Sequence, residues 1–254
     1  MTTCKFLGIN SFAFNSQGKT LLLDPYVSRT PAGASTVCRP EVVRKHITVA
    51  DYIVLGHSHY DHLGDVQEIA AYTNAIIYGS ETTLNICRYF GIAENRLILF
   101  EDHKPLSLGP FTVTSIPSLH KPSMRTAGEY TSIPKQIAGS GDYPEGGTWA
   151  ISIVGEGYSL LNIGSANCIE EELKGIQCDY LLVGIAGRKP DFMPRLLGSL
   201  EAKYVIPTHW DLFRFNPVEH AGEKYSTLEF TDEVHGINPE QKVKILKILE
   251  TMAL

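Results

Sequence analysis

A chain of 254 residues, 43% hydrophobic and 20% charged, has ordinary globular usage. It can bury a sizeable core as one domain over residues 1–254, and it carries no disordered or low-complexity signature. A formal net charge of −6, with no run of Lys or Arg longer than two, leaves no footprint for nucleic acid or an anionic membrane. No apolar run approaches the ~20 residues of a membrane span, and the first residues lack a secretory leader's pattern. The five cysteines are widely spaced without a Cys-x-x-Cys pair, which fits reduced thiols, so a cytoplasmic location is expected.

Residues 5–9, 12–15 and 20–24 read as short strands of an antiparallel opening, the last two joined across Ser16-Gln17-Gly18. Residues 27–40 lack periodicity and read as an irregular loop, 41–49 hold a helical turn, and 52–55 form a buried strand. Directly after that strand comes His57-Ser58-His59-Tyr60-Asp61-His62, three imidazoles and a carboxylate in six residues. A helix at 65–72, a strand at 75–78 and a helix at 81–90 follow, the last with Ser80 as N-cap and Gly91 closing it.

Strands at 97–100 and 111–116 flank a polar connection, the second leading to His120. Residues 121–147 are rich in Pro, Gly, Ser and Tyr and read as a lid or binding loop. Strands at 149–154 and 158–163 make a hairpin that finishes at Gly164-Ser165. A helix at 168–176, a strand at 180–183, a helix at 191–200 and a strand at 204–206 come next, the last ending at Pro207-Thr208-His209. Asn238-Pro239 is expected to cap a closing helix to about Met252, on apolar residues at Val243, Ile245, Leu246, Ile248 and Leu249.

Buried strands alternating with helices argue for sheets covered by helices. The polar residues gather at strand carboxyl ends: His57, His120, Ser165 and His209. In open α/β sheets that edge is the usual ligand site. A zinc-type ion takes about four nitrogen or oxygen donors and, when catalytic, keeps one position for water. His57 and His59 on an extended turn can bind one ion with His120 as the third donor; Asp61 and His62 can serve a second ion with His209. A two-metal centre holds hydroxide between the ions and stabilises the oxyanion formed when it attacks an ester, lactone, amide or phosphodiester.

The hexapeptide is the His-x-His-x-Asp-His hallmark of the metallo-β-lactamase superfamily, which the chain resembles along nearly its whole length. Leu22-Leu23-Asp24-Pro25, the strand leading to His120, and Ile206-Pro207-Thr208-His209-Trp210-Asp211 are similar to the compact branch that includes the ascorbate-6-phosphate lactonases. The resemblance implies an α/β fold, a four-layer αβ/βα sandwich of two mixed sheets covered by helices. It also implies His57, His59 and His120 as ligands of a first ion, with Asp61, His62 and His209 holding a second. One or two divalent ions per chain are implied, zinc before manganese or iron.

Most hydrolases of the superfamily have a bridging Asp where this chain has Ser165. A neutral hydroxyl is a weaker donor, so the second site is expected to bind less tightly and the centre to carry more positive charge. Asn167 and Cys168 are near enough in sequence to be considered as substitutes, although a nearby Cys is more often a small core residue. Asp24 is expected to be structural or to orient a ligand imidazole. Tyr60 and Trp210, beside ligands, either shape the pocket or pack. His46, His103, His220 and His235 show no partner pattern.

The expected activity is metal-dependent hydrolysis of a small-molecule lactone, ester or phosphoester by metal-bound hydroxide, with Asp61 also positioning that nucleophile. Lys121, Arg125, Arg188, Lys189 and Arg214 lie near the active-edge loops and offer grips for an anionic group, though such charges are usually only solvated. A mononuclear iron, oxygen-using enzyme and a metal-binding sensor or scaffold weakened through Ser165 are the alternatives. Self-association is left open.

Overall fold

The computed structural model describes residues 1–121, 127–213, 215 and 218–254; Arg125 and Arg214 lie outside the described residues. The chain opens with β1 (Thr3–Gly8), β2 (Ser11–Ser16) and β3 (Lys19–Leu23), two antiparallel pairings. After the 27–39 loop come α1 (Pro40–His46), β4 (Tyr52–Val54), α2 (Tyr60–Leu63), α3 (Val66–Tyr72), β5 (Ile76–Gly79), α4 (Glu81–Tyr89) and β6 (Leu97–Leu99). The second half holds β7 (Leu106–Leu108), β8 (Phe111–Pro117), β9 (Trp149–Gly155), β10 (Tyr158–Ile163), α5 (Glu170–Leu173), β11 (Gln177–Gly184), α6 (Phe192–Ser199) and β12 (Glu201–Thr208). It closes with α7 (Thr227–Ile237), β13 (Lys242–Val243) and β14 (Thr251–Ala253).

Two seven-stranded sheets result, in the orders β14-β1-β2-β3-β4-β5-β6 and β13-β12-β11-β10-β9-β8-β7. Alternation along the strands builds the layers. On β3, Leu21 and Leu23 enter the core between the sheets, whereas Leu22 joins the core under the helices of the first half. On β11, Leu182 faces the inter-sheet core, whereas Leu181 and Val183 pack with Phe192 and Leu196 of α6. Because both faces are buried, these strands read as continuous apolar runs. Three stacked cores make the expected four-layer αβ/βα sandwich.

β9 pairs antiparallel with both β8 and β10, while β10, β11 and β12 are parallel. β8, β10 and β12 therefore point the same way, and their carboxyl ends share one edge of the second sheet. β4 is parallel to β3 and β5 in the first.

The closing helix expected at 238–252 does not form. The helix lies earlier, as α7, with the Ser226 side chain accepting from Glu229 N–H, and Asn238 is its C-cap. Ser226-x-x-Glu229 is the N-cap signature that marks this start. Beyond it, Ile245 is 40% exposed and Leu249 has φ 67°, so the apolar spacing follows no helix face. The segment pairs first with β12 and then with β1, Leu249 N–H donating to Phe6 O at 2.7 Å. The 168–176 helix shortens to α5, since Cys168 is drawn into the core and Gly175 turns the chain at φ 79°. β7 was missed within the polar connection.

The 27–40 loop is irregular but anchored. Asp65, fully buried, accepts from Val27 N–H at 2.7 Å, Ser28 N–H at 2.9 Å and Ser28 Oγ at 2.5 Å. Asp65→Ala leaves these donors buried and unpaired, which costs about 3 kcal/mol. Asp65→Asn, which keeps an acceptor for both backbone donors, costs clearly less. Denaturant unfolding checks both, and equal losses would show that the carboxylate does not hold the loop. No described helix is long and apolar enough to cross a membrane.

Candidate metal centre

His57 and His59 follow β4, with His59 at the N-cap of α2 (φ −58°, ψ 150°). The helical turn that begins at Tyr60 then swings Asp61 and His62 toward a different point. His120 comes from beyond β8, Ser165 from the end of β10 and His209 from the end of β12. The six His/Asp residues fall into two groups, His57–His59–His120 and Asp61–His62–His209, with the donor atoms of each group all within 4.8 Å of one another.

Ring centroids of His57 and His59 are 4.7 Å apart, those of His59 and His120 4.6 Å, and those of His57 and His62 3.8 Å, so the two groups adjoin. Asp61 Oδ2 lies 3.1 Å from His209 Nε2. Two ligands of one tetrahedral ion with bonds near 2.0–2.1 Å stand roughly 3.3 Å apart, so this spacing suits a shared ion.

The donors are held from behind. His120 Nδ1 bonds the Lys121 carbonyl at 2.7 Å, which leaves Nε2 for the centre. Asp24, fully buried, lies 3.0 Å from His62 Nδ1 and accepts from Gly56 N–H at 2.7 Å, just ahead of His57. His57 Nε2 is buried without a hydrogen-bond partner among the described residues. An imidazole nitrogen is rarely left so without a ligand to receive. Burial first, then the neighbouring imidazoles, holds His57 well below the usual range. Burial, followed by the charge of His59, takes His120 down to about 3. Burial also acts to lower His62, but Asp24 and then Asp61 outweigh it and raise this imidazole. Burial opposes ionisation of Asp61, yet His209 and His62 hold its carboxyl far below the ordinary range. His57 and His120 are thus held neutral beside an ionised Asp61, which is the state a divalent ion requires of its ligands, so these residues fit such an ion.

Ser165 is 5% exposed and lines a small cavity of about 20 Å³ together with His120, Lys121 and His209. Cys168 belongs to neither donor group; it lies in the core and burial pushes its thiol up to about 11. Asn167 instead donates to the His120 carbonyl at 3.3 Å and accepts from Arg195 at 2.9 Å. His46, His103 and His235 are engaged elsewhere, near Glu219, Glu172 and the Gln241 carbonyl.

A cavity of about 340 Å³ opens over the donors, and Tyr60, Lys121, Leu212, Phe213, Lys224 and Tyr225 are among its lining. Tyr60 thus shapes the pocket, whereas Trp210 packs against Phe6 at 6.1 Å. Lys121 Nζ donates to Ala186 O at 2.7 Å beside the centre. Arg188 is engaged by Glu233 at 2.7 Å. Sequence reasoning missed Phe213, Lys224 and Tyr225, which lie in a stretch without periodicity and carry no local signal.

Two mixed sheets flanked by helices, with histidines gathered at the strand ends, define a protein of the metallo-β-lactamase fold. The model of the Beta-lactamase superfamily domain matches residues 19–210, and the chain belongs to that family. A protein of Carboxydothermus hydrogenoformans named as a metal-dependent hydrolase is 27% identical over 214 residues, 81% of this chain and 83% of its own length. Among solved structures, Igni18, described as a novel metallo hydrolase from Ignicoccus hospitalis, is similar with TM-score 0.63 at 17% identity, covering 99% of this chain and 97% of that one. CmlA of Streptomyces venezuelae, a diiron β-hydroxylase, has TM-score 0.64 at 15% identity over 100% of this chain and 54% of its own. The likeness to these two structures is one of fold.

Proposed function

We propose that this chain is a metal-dependent hydrolase that opens a small lactone, ester or phosphoester. The observation that carries the reading is the pair of three-donor groups set side by side beneath one cavity. His57, His59 and His120 would hold one divalent ion, and Asp61, His62 and His209 a second. When bound, zinc-type ions supply Lewis acidity toward a substrate oxygen and lower the pKa of water toward ~7. Nitrogen-rich donors with a single carboxylate favour zinc over magnesium or calcium.

The protein's own contribution is arrangement. Asp61, the one carboxylate among the six donors, would accept a hydrogen bond from the attacking water and so aim it. Tyr60 and Phe213 exclude water along one wall, while Lys121 and Lys224 place positive charge along the same cavity and suit a substrate with an anionic group. The five free cysteines fit work in the cytoplasm.

Elemental analysis of protein purified without added metal tests the reading. One or two zinc, manganese or iron ions per chain, with turnover on a panel of lactones, esters and phosphodiesters, is the expected result. Metal-free protein that takes up none of them would end it. Ser165, a neutral residue in the cavity beside His120 and His209, favours a second reading as an iron enzyme that uses oxygen. One iron per chain with oxygen uptake would select that alternative.

Ser165→Asp gives a direct check on the ion count. An added carboxylate beside His209 should tighten the weaker ion by roughly tenfold or more, read by chelator competition. Unchanged affinity would show that position 165 does not face the ions.

A further inference from the structure

Beneath the candidate centre, at the turn between β1 and β2, lies Asn10, fully buried. Its Nδ2 donates to Asp24 Oδ2 at 2.7 Å, and its Oδ1 accepts from Thr208 Oγ1 at 2.8 Å. Asp24 is the carboxylate against His62 Nδ1, and Thr208 immediately precedes His209. The preceding residue makes a second tie, since the Ile9 carbonyl accepts from His209 N–H at 2.5 Å. Gly164, directly before Ser165, packs on the same amide: a Cβ there would stand 2.6 Å from Asn10 Nδ2. One side chain therefore touches the supports of His62, His209 and Ser165.

The backbone around it is unusual. Ile9, Asp24 and His209 have φ of 56°, 44° and 57°, left-handed values that side-chain-bearing residues seldom adopt. Such values persist only where surrounding bonds enforce them. Here those bonds converge on the Ile9-Asn10 turn. Both ends of the Asn10 amide are used, so no aliphatic side chain of equal size could replace it.

We propose that Asn10 is a positioning residue for the second ion's ligands, fixing the His62 ring through Asp24 and the His209 backbone through Thr208 and Ile9. This rests on the reading of Asp61, His62 and His209 as one ion's ligands. The first group is reached only at a further remove, since Asp24 Oδ1 also holds the Gly56 N–H ahead of His57, so the first ion serves as the less affected comparison.

Zinc affinities of Asn10→Leu and Thr208→Val, measured by chelator competition, test the proposal. In Asn10→Leu the weaker of the two sites should lose roughly ten- to a hundred-fold in affinity, the range for a partner behind a metal ligand, while the tighter site loses clearly less. Thr208→Val, which removes one hydroxyl from a buried strand end and is expected to fold, should lose several-fold at the same site. Equal weakening of both sites would mean a structural role only and would overturn the proposal, as would unchanged affinities. Wild-type protein that takes up a single ion would sink the two-ion reading instead. The decision then passes to a crystal structure of metal-free Asn10→Leu, or of Thr208→Val if the first does not fold. A His62 ring displaced from Asp24, or a His209 backbone relaxed from its left-handed φ, supports the proposal; both unmoved overturns it.

Discussion

Alanine at position 59 should lower kcat/KM on any substrate the protein hydrolyses by roughly a thousand-fold or more, about 4 kcal/mol of barrier. His59 belongs to the group with His57 and His120, whose donor atoms lie within 4.8 Å of one another, and two imidazoles alone make a poor site for a catalytic ion. The same variant should carry one ion fewer per chain by elemental analysis. His103, whose side chain is 55% exposed beside Glu172, is the control: His103→Ala should keep both metal content and rate. Unchanged hydrolysis in His59→Ala would remove the basis for a metal-dependent reaction at this edge of the sheets.

The largest effect on stability is expected from the Arg29–Asp211 pair. The two side chains are 1% and 0% exposed and bonded to each other, and Arg29 also donates to the Leu212 carbonyl. Asp211 further accepts from Ile9 N–H at 2.9 Å, so the pair fastens the 27–40 loop and the β1–β2 turn to the segment carrying His209. Gly8 passes so close that a Cβ would lie 3.0 Å from Arg29 Nη1, and its φ of 97° suits glycine alone. Asp211→Ala leaves a guanidinium buried without its counter-charge, which costs about 3–5 kcal/mol. For a chain of this size that is a fall in Tm of roughly 6–20 °C. The double variant Arg29→Met, Asp211→Leu should recover part of the loss, because no unpaired charge remains. A single variant within 1 kcal/mol of wild type by denaturant unfolding would show that the pair contributes little.

The legibility of this chain follows the range of its signals. The hexapeptide is local and chemically dense, and His120, Ser165 and His209 could be added because each ends an apolar run. Their meeting is a consequence of strand direction, which β-strands followed by polar residues already suggest. Asn10 was not legible. In sequence it is a polar residue in a turn, and its partners stand 14 and 198 positions away. Lys224 and Phe213 are likewise brought to the cavity by a stretch without periodicity. The residues from Val243 to Leu249 misled because short apolar spacing fits a helix as readily as a segment that changes partners. Only pairing with β12 and then β1 resolves it. The N-cap pattern at Ser226 and Glu229, which marks the start of α7, went unread in the same region.

The outermost strands of the two sheets share one property. β14 and β6 border the first sheet with 3 residues each, and β13 and β7 border the second with 2 and 3. The long strands, β8, β9, β11 and β12, at 7 or 8 residues, are all interior. An unpaired strand edge is a template on which another chain can add and aggregate, and its danger grows with length. Here each exposed row of backbone donors and acceptors runs out within a few residues. A two-sheet molecule whose border strands are among its shortest gives a misfolding neighbour little to grow from.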